Sequence, residues 1–165
     1  MPERETLERA HKAEREGKSP GTQAGEFVRE EVHHVREGKH GARSPEQVIA
    51  IGLSKARRAG VKLPPPPKGE ASEETREGAK RDLASAGRKR KPSAKRSRAT
   101  RAKLKREGTS AASASSLGRH ARKASKRRTA SERSASARKA VRTKGAEGRS
   151  QAARKAARTR ARRGA

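Results

Sequence analysis

TQAGEFVREEVHHVREGKHGARSPEQVIAIGLSKARRAG, residues 22–60, is the one part of the chain with sustained amphipathic order. At 100° per residue, Ala24, Phe27, Val28, Val32 and Val35 fall on one stripe, while Glu26, Glu30, His33 and Glu37 fall opposite. Thr22 is placed to cap a helix over 22–37, and Gly38 to stop it. After a loop from Gly38 to Arg43, a second helix is predicted over 45–59. Its start is well signalled: Ser44 at the cap, Pro45 at the first helical position and Gln47 three residues after Ser44. Val48, Ile49, Gly52, Leu53, Ala56 and Ala59 line its apolar side. The missing side chain at Gly52 lets another helix approach closely. Gly60 suits a left-handed stop, with Val61 placed to fold back on the last turn. These signals define a helical hairpin.

Outward from the hairpin the signals weaken. Residues 3–16 read as a polar, charge-laced helix with a thin apolar edge at Leu7 and Ala10, ended by the run from Gly17 to Gly21. Two helices of about 16 residues make a very small core, so packing of this first helix, self-association or nucleic acid must supply further burial. Ile51, off the main stripe, is a candidate for such a contact. Beyond Leu63, Pro64-Pro65-Pro66-Pro67 reads as a polyproline II spacer that ends the folded region, followed by a mixed-charge linker over 70–82. The expected segments are therefore 1–20, 21–63, 64–82 and 83–165.

Charge divides the 165-residue chain more sharply than hydropathy does. From residue 83 onward there are 29 basic residues against three acidic ones (Glu107, Glu132, Glu147), whereas residues 1–82 carry 17 against 15. Bulky apolar side chains in the second half are only Leu83, Leu104, Leu117 and Val141. Ordering each residue costs about 1–2 kcal/mol of backbone entropy, so four scattered side chains predict a disordered tail that becomes helical only on binding. The fold class expected is thus a mostly disordered chain with a small all-α hairpin near its N-terminus. The absence of cysteine excludes disulfides, thiolate metal sites and thiol catalysis. The longest apolar run, residues 48–53, is far below the roughly 20 residues of a membrane-spanning helix, and the N-terminus has no secretory pattern. An intracellular, soluble chain is expected, cytoplasmic and nucleoid-associated in a bacterium, or nuclear if the host is eukaryotic.

A polycation of this length finds its partner in a polyanion, because phosphate contacts release condensed counterions. The expected nucleic-acid contacts are Arg88, Lys89, Arg90, Lys91, Lys95, Arg96, Arg98, Arg122, Lys123, Lys126, Arg127, Arg128, Arg138, Lys139, Arg154, Lys155, Arg158 and Arg160. Lys39, Arg43, Lys55, Arg57 and Arg58 are hairpin candidates for phosphate. One aromatic residue, Phe27, cannot form a base-stacking platform, which lowers base-specific single-strand recognition and favours contact with phosphate backbones; the partner expected is nucleic acid, DNA before RNA. Ala-Arg-Lys-Ala recurs at 121–124, 137–140 and 153–156. On an unbroken helix the sixteen-residue interval would turn successive Arg-Lys pairs by about 160°, onto nearly opposite sides. His33, His34 and His40 lie near Glu30, Glu31 and Glu37, and His33 and Glu37 are four apart, the reach of two metal ligands. A solvated polar face explains them, so no metal and no cofactor are expected. No nucleophile–base pair is evident, and an enzyme is not expected. Sequence-nonspecific DNA binding is the leading reading. An RNA- or ribosome-associated protein, or an adaptor that uses the hairpin, are the alternatives.

Lys39-His40-Gly41 followed by Ser44-Pro45-Glu46-Gln47-Val48-Ile49-Ala50-Ile51-Gly52-Leu53-Ser54-Lys55-Ala56 resembles a group of small basic bacterial proteins of uncharacterised function. Their segment reads approximately K-H-G, then S-x-x-Q-x-I-A-I-x-L-S-x-A. The resemblance covers under a third of the chain and implies a bacterial, cytoplasmic, DNA-binding protein. Pro45-Glu46 departs from the more basic pair expected there. The tail is similar, in composition only, to those of linker histones and bacterial histone-like proteins.

Overall fold

Two helices meet at Gly52 in the structure, a computed structural model that describes residues 2–87 and 93–164. A Cβ there would lie 2.6 Å from the Val28 Cα, so only glycine allows α2 (Pro20–Arg36) and α3 (Pro45–Arg58) to approach this closely. Helix α2 begins two residues before Thr22. Ser19 takes the cap position, and Pro20, with its preset φ, opens the first turn. Gly38, at φ 72°, ends it. The Ser44 hydroxyl accepts from the Gln47 N–H at 3.3 Å, while the Gln47 side chain reaches back to the Arg43 N–H at 3.0 Å. Gly60 adopts φ 104°, and the Val61 N–H closes on the Ala56 carbonyl at 3.1 Å.

The burial that the hairpin lacks comes first from α1 (Arg4–Arg15), which packs against α2. Ala10, Ala24, Phe27, Ala56 and Val61 form one core cluster, edged by Leu7, Leu53, Ala59 and Leu63. Side chains on α2 expected to face water are drawn inside. Glu30 is buried, and its carboxylate accepts from the Glu3 N–H at 3.1 Å. Glu31 is completely buried. Glu26 is half-buried beneath Arg9 at 2.8 Å, whereas His33 and Glu37 stay exposed.

The folded region also continues past the prolines. The buried Arg57 guanidinium donates to the Leu63 and Pro64 carbonyls at 3.1 and 3.2 Å, and Arg76 donates to Pro66 at 3.1 Å. These bonds fold the segment back, so that α4 (Glu73–Ala84) packs on α3 with Ala79 buried. Residues 64–82 form a packed arm in place of the expected spacer and linker.

The expectation of a mostly disordered second half is overturned. It is helical: α5 (Ala94–Lys105), α6 (Ala114–Arg127) and α7 (Ala130–Gly164), with a short 3-10 helix at Ser110–Ala112. The entropy argument counted bulky side chains alone, but alanine, arginine and lysine are strong helix formers that lose little freedom in a helix. Part of this half is also core. Ala111 and Ala112 are buried with Val35, Ala42 and Val48, edged by Val32. Two methyl-sized side chains fill a space that a count of large residues does not register. The chain divides into two units, Met1–His120 and Ala121–Ala165, so residues 93–120 belong with the head and not with the tail.

Candidate nucleic-acid interface

Each sixteen-residue copy opens on a residue that ends one helix and starts the next. In the first copy the Ser113 hydroxyl accepts from the Ser116 N–H at 3.2 Å, at the start of α6. In the second, Thr129 and Glu132 form a reciprocal capping box before α7. The Glu132 N–H donates to the Thr129 hydroxyl at 3.2 Å, and the Glu132 carboxylate accepts from the Thr129 N–H at 2.7 Å. In the third, Gly145 sits at φ 64° and ψ −178° and interrupts α7. Each Ala-Arg-Lys-Ala motif therefore rides its own helical stretch. The 160° offset expected of one unbroken helix does not apply.

On α6, Arg122, Lys123, Lys126 and Arg127 fall within about 140° of one another, a single cationic stripe. On each stretch of α7 the cations surround the axis. Every cation expected to bind nucleic acid from Lys95 to Arg160 is exposed. Among the described residues, no lysine or arginine from 94 to 162 is ion-paired with a carboxylate. Arg88, Lys89, Arg90 and Lys91 lie outside the described residues. Exposed cations not singled out from the sequence include Arg101, Arg119, Arg142, Lys144 and Arg149. Only the composition signal shared with their neighbours could have found them.

The hairpin cations separate into two kinds. Lys55 is largely buried, in contact with Glu31 and at 3.3 Å from Glu30, and Arg57 is spent on the carbonyls of residues 63 and 64. Neither is open to a phosphate, which corrects their assignment as contacts. A helical wheel places them at the surface of α3, and the packing of α2 and of the proline arm then covers them. Lys39, Arg43 and Arg58 remain exposed but paired, with Glu3 and Glu37, with Glu107, and with Asp82 respectively. Glu37 and then Glu3 hold the Lys39 ammonium above its usual value.

The start of α3 is a poor groove reader. Glu46 occupies it, and the Glu46 carboxylate meets His120 of α6 at 2.9 Å. Its own backbone N–H, then His120 and Ser44, hold that carboxyl down at about 2. A fixed negative charge at the first turn repels phosphate where a recognition helix would approach it.

Residues 17–68 match a family of unknown function (DUF6496), a span that runs from the end of α1 through the hairpin to the proline arm. No curated protein and no solved structure matches the chain.

Proposed function

We propose that this protein binds nucleic acid without an enzymatic activity, with duplex DNA preferred, through phosphate contacts made by α5, α6 and α7. The observation that carries this reading is the exposure of the second half's cations without carboxylate partners among the described residues. In the first 82 residues most acids lie against bases. Among the described residues beyond 83 the lysines and arginines have no carboxylate partner, and polyphosphate supplies one with counterion release. Cations surrounding the α7 axis suit contact with phosphates and do not suit the reading of one groove. Phe27, the sole Phe, Tyr or Trp, is 1% exposed and offers no surface for a base to stack on, which favours phosphate contact.

The test is a salt titration of duplex binding by the full chain. Each phosphate contact contributes about 0.9 to the slope of log K against log salt. Replacing Arg122, Lys123, Arg138, Lys139, Arg154 and Lys155 together by Gln should lower that slope by about 5 if all six touch phosphate. Competition between duplex DNA and structured RNA at one salt concentration separates the DNA reading from an RNA- or ribosome-associated one. Failure of the wild-type chain to bind either polymer in dilute buffer would leave only the adaptor reading.

A further inference from the structure

The Lys39-His40-Gly41 segment is pinned by the backbone of the last turn of α5 and of the turn that follows it. The Gly41 N–H donates to the Leu104 carbonyl at 2.9 Å, and the Ala42 N–H to Gly108 at 3.0 Å. A Cβ at Gly41 would fall 1.8 Å from the Glu107 carbonyl oxygen, so the loop cannot close this way with any other residue. The closure places His40 over Glu31, beside His34 one turn along α2.

The ligand-capable atoms of Glu31, His34 and His40 all lie within 4.8 Å of one another. The His34 Nδ1 is 3.4 Å from one Glu31 oxygen and the His40 Nε2 is 3.2 Å from the other. A tetrahedral ion with N and O ligands at about 2.0–2.1 Å spaces those atoms by about 3.3 Å. Glu31 is completely buried, and both imidazoles are mostly covered.

Donor counting supplies an independent reason. The second nitrogen of each ring also faces an acceptor: His34 Nε2 meets the Glu3 carboxylate at 2.8 Å, and His40 Nδ1 meets the Gly41 carbonyl at 3.1 Å. A neutral imidazole carries one N–H. With that proton on the outer nitrogen, each ring turns a lone pair toward a buried carboxylate. A cation placed between them would meet both lone pairs and the carboxylate at once. Carboxylate and carbonyl partners on the outer nitrogens are the arrangement that orients metal-bound histidines. Lys55 also contacts the Glu31 oxygen that faces His34, but a carboxylate has about four lone-pair sites, which leaves the oxygen facing His40 for an ion.

We propose that Glu31, His34 and His40 form a binding site for a divalent transition-metal ion, with zinc as the best match to its nitrogen and oxygen donors. Bound there, the ion ties the Lys39–Gly41 loop to α2. His33 and Glu37, the pair suggested by helical spacing, take no part.

The full-length protein, stripped with a chelator, is titrated with Zn²⁺ by calorimetry and with Co²⁺ by visible absorption. One ion per chain is expected, with the intense visible bands of four-coordinate Co²⁺ and a raised melting temperature. His40→Gln and His34→Gln should each weaken Zn²⁺ by at least about 100-fold. His33→Gln and His11→Gln, both at exposed positions, should leave it unchanged. X-ray absorption of the wild-type zinc complex, which must show two imidazoles, keeps the test decisive if a variant fails to fold. No stoichiometric binding, or equal weakening by His33→Gln, overturns the proposal and leaves the cluster as a hydrogen-bonded packing contact.

Discussion

Gly41 and Gly25 show how differently two glycines in one unit can behave. Gly41→Ala forces a methyl group into the Glu107 backbone, which cannot swing aside as a side chain would. The expected loss is about 2–3 kcal/mol or more, read from the urea midpoint of the cooperative transition. Gly25 lies within α2 with open space around it, and Gly25→Ala should stabilise by up to about 1 kcal/mol. Equal stabilities for the two variants would contradict the close approach at residue 107. Glu46 carries the pH dependence at this scale. Its folded value is depressed to about 2 from an ordinary 4.5, so its contribution is complete above about 4.5 and is lost as pH falls toward 2. Wild type should therefore melt above Glu46→Gln at neutral pH, with the gap closing below pH 4. A gap that stays constant through that range would remove the Glu46 N–H and the His120 contact together from the account.

At the level of elements, the informative break is the one inside α7. Gly145 occupies a backbone region essentially reserved for glycine, and forcing alanine into it costs about 1–3 kcal/mol. The cheaper response to Gly145→Ala is a right-handed helical turn, which joins the stretches on either side. Carbon chemical shifts of residues 143–147 should move to helical values in that variant and lie outside them in wild type. The sixteen-residue periodicity thus marks helix lengths as well as charge, with Ser113, Thr129 and Gly145 in register as terminators. That register was open to inspection in the sequence. A serine, a threonine and a glycine share no residue type, however, and only their common role at helix ends relates the three positions eight residues before each motif.

Across the whole molecule, acid and base are distributed by role. Acids of the first 82 residues are consumed inside the first unit: Glu30 and Glu31 under Lys55, Glu26 under Arg9, Asp82 beside Arg58. What remains is the cation excess of the second half, which supplies +26 of the chain's net charge of +28. The unit boundary does not follow the charge boundary, and truncations distinguish the two. Ending the chain after Arg127 should leave the cooperative unfolding of the first unit nearly unchanged. Ending it after Lys103 removes Ala111 and Ala112 from the core beside Val35 and Val48, and should destabilise that unit by about 2–5 kcal/mol. Unfolding curves that coincide for the two truncations would return residues 104–112 to the tail.

Local chemistry determined the hairpin: the Ser44–Gln47 cap, the stops at Gly38 and Gly60, the close approach at Gly52 and the one-sided charge all follow from neighbouring residues. Only the tertiary structure decided which polar residues are interior. Helical periodicity assigns faces within one element but is blind to a second element laid over the polar face, as α1 is over Glu30. It is equally blind to contacts made across some seventy residues, where Ala112 accepts from Arg36 at 2.8 Å. Burial is a property of the neighbours that a fold brings in, and those neighbours are distant in the chain.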